Sequence, residues 1–310
     1  MEDSDTSMAQ DALHSIPLFA GRELQNAKIS RLGGLTNLVF RLDLDGKSYC
    51  LRVPGKGTEE YINRANEERA AREAARAGVS PDVLYFDGGS GMMVTAFLND
   101  TITMSPQQFK SRKGAPARAA LAFRRLHRSG AVFPFRFELF SMIDGYLKVL
   151  AEKDVDFPAG YHDVLKEAET VRAALLANPL PITACHCDPL AENFLDTGER
   201  MWIVDWEYSG MNDPLWDLGD LSVEAAFEPA QEAEMIQAYF GGTPSTAEMG
   251  RIIIYKAMCD LLWTLWGLIQ HANGNPADDF WSYALNRFRR CKDLMADPAF
   301  AGHVDAVRRG

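Results

Sequence analysis

The periodicity of apolar residues along this chain changes near residue 98. Before that point, apolar and polar residues alternate in short runs, which is typical of β-strands that bury one face. After it, apolar residues recur every three or four positions, which is typical of amphipathic helices. We therefore predict an α+β protein, with a small antiparallel β-lobe followed by a larger, mainly helical lobe.

Five strands and one helix are predicted for the first lobe. Asp45 and Gly46 predict a hairpin turn between the second and third strands, because both residue types tolerate the positive φ of a tight turn. The helix, residues 66–77, is rich in Ala, Glu and Arg and ends at Gly78. The predicted strands are residues 29–32, 38–44, 48–53, 83–86 and 92–97.

We divide the chain into an N-terminal arm (1–20), an N-lobe (21–98) and a C-lobe (99–310). Residues 98–103 are the candidate hinge, and a small lobe joined to a larger one implies a cleft between them. Short strands are predicted near residues 185–186 and 201–205. The predicted C-lobe helices are residues 117–128, 140–150, 161–176, 229–240, 246–271 and 280–296.

Charge and cysteine content narrow the classes of protein to consider. Lys and Arg number 32 against 43 Asp and Glu, a net charge of −11 that disfavours a nucleic-acid partner. Five cysteines at irregular spacing do not form a disulfide framework, and the acidic first residues lack the features of a secretion signal. The longest strongly apolar stretch, residues 261–269, is shorter than the roughly 20 residues of a membrane span. We expect a cytoplasmic protein without a membrane span.

One short segment between apolar runs carries His186, Asp188 and Asn193. A carboxylate there can accept the proton of an attacking hydroxyl, and an amide oxygen five residues later can bind magnesium. A turn network capped by Asn193 would explain the same residues, and this motif alone leaves the two interpretations about even. A zinc site that includes Cys185 and Cys187 is disfavoured, because adjacent residues of an extended segment point to opposite sides.

Asp205 follows the apolar strand predicted at residues 201–204, where a carboxylate leaves a buried strand for a cleft. Further acids follow it, and a group this dense requires cations or helix N-termini to offset the repulsion. Asp213, which precedes a proline, is better interpreted as a helix cap. His127 is interpreted as a packed residue at a helix end, without a catalytic role. The further acids are Glu207, Asp217 and Asp220.

These segments resemble the signature loops of the choline/ethanolamine kinases, within the aminoglycoside-phosphotransferase-like superfamily. The resemblance rests on residues 186–193 and 205–217, extends to residues 33–37 and 262–270, and covers roughly residues 25 to 290. Two positions depart from related patterns. Arg52 stands where most protein kinases have Lys, a change that choline kinases share, and Asp220 stands where eukaryotic choline kinases usually have Asn.

The resemblance implies a bilobal protein-kinase-like fold that uses ATP and Mg²⁺. Asp188 would orient and deprotonate the hydroxyl, Asn193 and Asp205 would hold the metal, and His186 would brace the loop. Arg52 would bind phosphates with Glu67 as its partner. Glu68 competes for that role but also suits an i,i+4 pair with Arg72. The glycine-rich turn would approach the phosphates through its backbone N–H groups, with Gly33, Gly34, Thr36 and Asn37 as its residues.

Trp263 and Trp266 lie three residues apart and share one helix face. Such a pair is usually core, but the resemblance favours walls for a quaternary ammonium, bound through cation–π attraction. Tyr283 would be the third aromatic residue, with Trp281 as the competing choice, and Tyr208 is expected to pack near the metal loop. Glu207 would either face the substrate cation or bind a second metal indirectly.

The sequence therefore predicts a kinase that phosphorylates the hydroxyl of a small cationic alcohol, most simply choline. Ethanolamine, thiamine or an aminoglycoside are alternative acceptors. A catalytically silent nucleotide- or choline-binding module is the alternative from another class, but pure binding does not need the general base that Asp188 offers. Whether the chain is a monomer or a homodimer is left open.

Overall fold

The computed structural model describes residues 2–33, 37–55 and 62–310. Its first lobe contains a five-stranded antiparallel sheet in the order β1-β2-β3-β5-β4. The Asp45-Gly46 hairpin is confirmed, since both residues have positive φ, +52° and +71°. The strands are β1 (Lys28–Gly33), β2 (Asn37–Leu44), β3 (Lys47–Pro54), β4 (Val83–Phe86) and β5 (Met93–Ala96).

One helix of the N-lobe is inserted between β3 and β4, as the sequence predicts. This helix, α2 (Arg64–Arg76), starts two residues before the predicted position because the side chain of Asn63 caps it by accepting a hydrogen bond from Asn66 N at 3.1 Å. It ends before Gly78, whose φ of +72° suits glycine. Its alanine face is buried against the C-lobe core, so α2 connects the two lobes.

The first 20 residues, set apart above as an arm, pack onto the N-lobe sheet. They form helix α1 (Glu2–Ser15) and a short 3₁₀ turn (Pro17–Phe19). Leu13 and Phe19 are buried in one cluster with Phe40 and Leu42 of β2. This segment therefore covers one face of the sheet, while the division between the lobes at residue 98 stays a prediction.

Helices make up most of the C-lobe, together with two small sheets, β6-β8-β9 and β7-β10. Two of these helices, α3 and α11, were not predicted from the sequence, and of α7 only the start at Asp213 and Pro214 was predicted. The strands are β6 (Ile102–Thr103), β7 (Thr183–Cys185), β8 (Phe194–Asp196), β9 (Met201–Ile203) and β10 (Gly210–Asn212). The helices are α3 (Pro106–Ser111), α4 (Ala115–His127), α5 (Leu139–Ala151), α6 (Tyr161–Ala177), α7 (Leu215–Glu224), α8 (Pro229–Phe240), α9 (Thr246–Ala272), α10 (Phe280–Met295) and α11 (Phe300–Arg309).

Helix α9 is the central helix of this lobe and contacts α5, α7, α10 and α11. A capping box starts it, in which Ser245 and Glu248 each accept a hydrogen bond from the other's backbone N–H. By length and composition α9 could span a membrane, with a mean hydropathy of 1.5 over its most apolar window, but 83% of that window is buried inside the fold. This burial identifies α9 as a core helix.

A buried hydrogen-bond network connects α4, α7 and α8. His127 was expected to pack at a helix end, and the structure places it at the last residue of α4, 7% exposed, with partners that the sequence did not reveal. Its Nε2 lies 2.9 Å from a carboxylate oxygen of Asp217, and its Nδ1 lies 2.8 Å from the hydroxyl of Tyr239. A neutral ring that donates to Asp217 and accepts from Tyr239 satisfies all three groups.

We predict that replacing His127 by Leu lowers the free energy of unfolding by about 1–3 kcal/mol, because the fully buried Asp217 carboxylate loses a donor. Tyr239→Phe removes only the outer hydrogen bond of the network and should cost about 0.5–1.5 kcal/mol. Urea unfolding of both variants measures the difference. Equal stability of His127→Leu and the parent protein would contradict this role.

Candidate active site

The loop between β7 and β8, residues 186–193, contains Asp188 and is called the catalytic loop below. Asp188 is partly exposed, and its backbone oxygen accepts hydrogen bonds from Leu190 N at 2.9 Å and from Asn193 Nδ2 at 3.1 Å. Burial and then the negative charges of Glu224 and Asp205 raise the pKa of Asp188 well above its ordinary value. A carboxylate in this environment has a higher affinity for a proton than one in water.

His186 fixes the position of the catalytic loop and does not face the cleft. It is 0% exposed, its Nε2 lies 2.9 Å from the carbonyl oxygen of Val204, and its ring packs edge-on against Trp206. Burial lowers the pKa of His186. The structure therefore places a neutral imidazole where the sequence predicted a brace.

A chain of charged groups lies at the N-lobe end of the cleft. Arg52 of β3 forms an ion pair with Glu67 of α2, and its Nη1 lies 3.5 Å from Asp205 Oδ1. Burial alone would lower the pKa of Arg52, but Glu67 and then Asp205 outweigh this effect and raise it. Glu67 is thus the partner of Arg52, while Glu68 pairs with Arg72 at 2.9 Å on the outer face of α2.

Arg64 continues this chain of charges toward the C-lobe. Its Nη1 lies 2.8 Å from Glu67 and 3.3 Å from Glu207, and Asn37 Nδ2 donates a 3.4 Å hydrogen bond to the same Glu207 oxygen. The structure therefore places Glu207 among the groups of the N-lobe end, apart from the aromatic residues described below. Gly33 ends β1 nearby in sequence, and Gly34 and Thr36 lie outside the described residues.

Glu67, Asp205 and Glu207 each offer one carboxylate oxygen, and these oxygens lie within 4.8 Å of one another. Burial and then Asp205 raise the pKa of Glu207 to about 7. Asp205 Oδ1 is buried and accepts no hydrogen bond from any described residue, which leaves it able to bind a cation. An oxygen-only donor set fits Mg²⁺, and Arg52 and Arg64 offset part of its negative charge in this structure.

Gly91, in the turn between β4 and β5, positions both arginines. Its carbonyl oxygen accepts a 3.0 Å hydrogen bond from Arg52 Nη2, and a Cβ on Gly91 would lie 2.5 Å from Arg64 Nε. Its φ of +79° also requires glycine. The sequence places Gly91 only in the turn between the predicted strands at residues 83–86 and 92–97, because nothing in the local pattern shows which side chains a turn will contact.

Aromatic side chains of α9, α10 and the segment after β9 form a cluster in the C-lobe. Trp266 Nε1 donates a 3.1 Å hydrogen bond to the hydroxyl of Tyr208, and the Trp266 and Tyr283 ring centres lie 5.7 Å apart. Trp263 packs edge-on against Tyr208 and is almost fully buried, whereas Trp266 is the partly exposed residue of an otherwise buried stretch of α9. Tyr208 therefore belongs to this aromatic cluster. Trp281 contacts His271 instead.

Two charged residues beside this cluster were missed by the sequence analysis. Arg287 of α10 lies 4.9 Å from the centre of the Tyr283 ring and forms ion pairs with Glu224 of α7 and Asp260 of α9. Glu224 could have been suspected from its position seven residues after Asp217, on the same face of one helix. Nothing local to the sequence around Arg287 indicates the partners it finds on two other helices.

Comparison with known proteins identifies the family. Residues 28–249 match the model of the phosphotransferase enzyme family. A choline/ethanolamine kinase family protein from Mesorhizobium loti has a solved structure that is 64% identical in sequence, with a TM-score of 0.90, and the match covers 99% of this chain and 100% of that one.

Two further solved structures, at 26% identity each, are similar over nearly the whole chain. The choline kinase LicA from Streptococcus pneumoniae has a TM-score of 0.77, with 94% of this chain and 98% of that chain covered. A structure of LicA in complex with AMP has a TM-score of 0.75 and covers 96% and 98%. The predicted bilobal protein-kinase-like fold is confirmed, and the chain belongs to the phosphotransferase enzyme family and, within it, to the choline/ethanolamine kinase family.

Proposed function

We propose that this protein transfers the γ-phosphoryl group of ATP to the hydroxyl of choline. The position of Asp188 is the main support: its charge couples both to Asp205 at the N-lobe end of the cleft and to Glu224 beside the aromatic cluster. A hydroxyl on a short cationic substrate would thus meet a proton acceptor between a nucleotide and a head-group site. The AMP complex of the related LicA supports nucleotide binding in the same fold.

In this reaction the substrate oxygen bonds to the γ-phosphorus, the bond from that phosphorus to the β–γ bridging oxygen breaks, and ADP leaves. Asp188 takes the hydroxyl proton, and its raised pKa gives it a higher affinity for that proton than an exposed carboxylate has. The remaining groups position the reactants. Arg52 and the turn formed by Gly33, Gly34, Thr36 and Asn37 would hold the phosphates.

Asn193 and Asp205 would hold magnesium, which when bound supplies positive charge that offsets the charge of the phosphates. Asn193 uses its amide nitrogen to bond Asp188 O, so its amide oxygen is the atom left to act as a ligand. Glu67 and Glu207 add carboxylates to the same region.

The aromatic cluster favours a quaternary ammonium over a primary one. Trp266, Tyr208 and Tyr283 offer ring faces, which attract a methylated cation without needing its N–H groups. A primary ammonium instead needs acceptors placed to receive its N–H groups, and Glu224, one of the acids beside the cluster, is already in an ion pair with Arg287. Ethanolamine is the second candidate, because its smaller head group fits the same combination of an acid and aromatic rings.

Asp188→Asn should lower kcat by about 10²- to 10⁴-fold, because the amide cannot accept the hydroxyl proton. ATP affinity should stay unchanged, since Asp188 acts on the acceptor. A coupled ADP-release assay and calorimetric ATP titration measure the two effects. Near-normal turnover in the folded variant would contradict the assignment of Asp188.

Asp205→Ala should weaken ATP binding in the presence of magnesium and abolish phosphorylation, because a ligand of the metal is lost. ATP binding measured in EDTA should change much less, which provides the matched control. If the variant bound magnesium-ATP as the parent does, Asp205 would be a structural acid.

Trp266→Leu should raise the choline KM by up to about 30-fold, since a cation–π contact contributes about 0.5–2 kcal/mol. Trp281→Leu is the control, because Trp281 contacts His271 and not the aromatic cluster. The ATP KM should stay constant in both variants. An equal choline KM in the two variants would show that Trp266 only packs the core.

A further inference from the structure

Asp220 of α7 is an acid for which the fold provides no hydrogen-bond partner. It is 0% exposed, and neither of its carboxylate oxygens accepts a hydrogen bond from any residue that the structure describes. Buried carboxyl groups are nearly always paired, since an unpaired one costs free energy. A buried, unpaired carboxyl group at Asp220 therefore points to a partner that is not part of this chain.

Asp220 lies near two acids of the candidate active site, Glu224 and Asp188. Glu224 lies one helical turn further along α7, so both side chains share one face of that helix. The charge of Asp220 is influenced most by Glu224, then by Asp188, and then by Arg287. The titratable and charged groups that face Asp220 are Asp217 and Glu224 on α7, Cys187 and Asp188 on the catalytic loop, Cys259 on α9 and Arg287 on α10.

The cationic side chains of this region already form ion pairs with acids. Arg287 pairs with Glu224 and Asp260, and Arg290 lies 2.5 Å from the same Asp260 oxygen. Burial and then the charges of Glu224 and Asp188 raise the pKa of Asp220 well above its ordinary value. Without an added cation, these effects make Asp220 hold its proton more tightly than an exposed carboxyl group does.

We propose that Asp220 is a specificity residue, a buried acid that ionises when a cationic head group enters the cleft and so favours a charged substrate over a neutral one of the same shape. This inference rests on the proposed function. A positive charge nearby stabilises the carboxylate and opposes the effect of burial. The proton of Asp220 passes to the solvent. The positive charge of the bound head group then compensates the negative charge of the carboxylate.

A neutral isostere of choline distinguishes recognition of the substrate's charge from recognition of its shape. In 3,3-dimethyl-1-butanol, carbon replaces the ammonium nitrogen, so the molecule has the size of choline without its charge. Asp220→Asn keeps the side-chain volume and breaks no hydrogen bond of the described residues. The measurements are the KM of choline and the inhibition constant of the neutral alcohol in competition with choline.

We expect Asp220→Asn to raise the choline KM about tenfold or more, because an opposite charge nearby shifts a carboxyl pKa by about one to three units. The inhibition constant of the neutral alcohol and the ATP KM should not change. The choline KM of the parent protein should also rise as the pH falls, since binding must then release a proton against a higher proton concentration. This pH dependence should be weaker in Asp220→Asn.

Asp154→Asn is the matched control, because it makes the same charge change at an exposed position of the C-lobe. Calorimetry of choline binding in two buffers of different ionisation enthalpy should show proton release by the parent protein and less release by Asp220→Asn. If Asp220→Asn does not fold, Asp220→Ala takes its place in each measurement.

Parallel weakening of choline and the neutral alcohol would show that Asp220 is only structural, and unchanged values for both would show that it has no role. Either result overturns the inference and leaves the proposed function intact. A parent protein that does not phosphorylate choline would instead refute the proposed function.

Discussion

The fully buried carboxylate of Asp217 determines where the groups of the active site lie. Its two oxygens accept hydrogen bonds from the backbone N–H groups of His186 and Cys187, at 2.8 and 2.9 Å, just before Asp188. Trp216, the residue before Asp217 in α7, holds the same backbone, because its Nε1 donates a 3.1 Å hydrogen bond to Cys187 O. Cys187 has a φ of +69°, a conformation that needs such support in a residue with a side chain. Because α7 also carries Asp220 and Glu224, this one helix places the catalytic loop and the acids of the head-group site relative to each other.

The two ends of the cleft differ in which charged side chains they contain and how these are paired. At the N-lobe end, Arg52 and Arg64 stand between acids from both lobes, and their ion pairs with Asp205 and Glu207 connect β3 and α2 to the segment after β9. Phosphates and a metal can enter there by exchanging partners with groups that are already charged. At the C-lobe end, aromatic rings lie beside acids, and Arg287 is paired with Glu224 and Asp260. A negative ligand is therefore favoured at the first end and a positive one at the second.

The sequence predicts the elements whose causes are local. The β2-β3 hairpin follows from Asp45-Gly46, and α2 follows from its composition, its cap and Gly78. The catalytic loop residues and Asp205 were predicted because their spacing and flanking apolar strands are local too, and the arginine–glutamate pair was anticipated from the family resemblance. Contacts between segments that are distant in the sequence were not predicted. These are the ion pairs of Arg287 with Glu224 and Asp260, the ion pair of Arg64 with Glu207, and the hydrogen bond from Trp266 to Tyr208. The start of α7 was predicted from Asp213 and Pro214, but its extent was not, since the helix is buried on nearly all sides and has no polar face that would reveal a helical period.

Gly91 lies in a surface turn of the N-lobe but contacts two buried side chains, Arg52 and Arg64. The turn between β4 and β5 is built from Asp87, Gly88, Gly89 and Ser90, residues that would ordinarily mark a place where evolution can lengthen a loop freely. Its last residue, however, carries the carbonyl that holds Arg52 and the empty Cβ position into which Arg64 fits. Changes to this hairpin should therefore be tolerated only in the residues before Gly91. A change in length that displaced Gly91 would shift Arg52 and Arg64, although the turn has the composition of an ordinary surface loop.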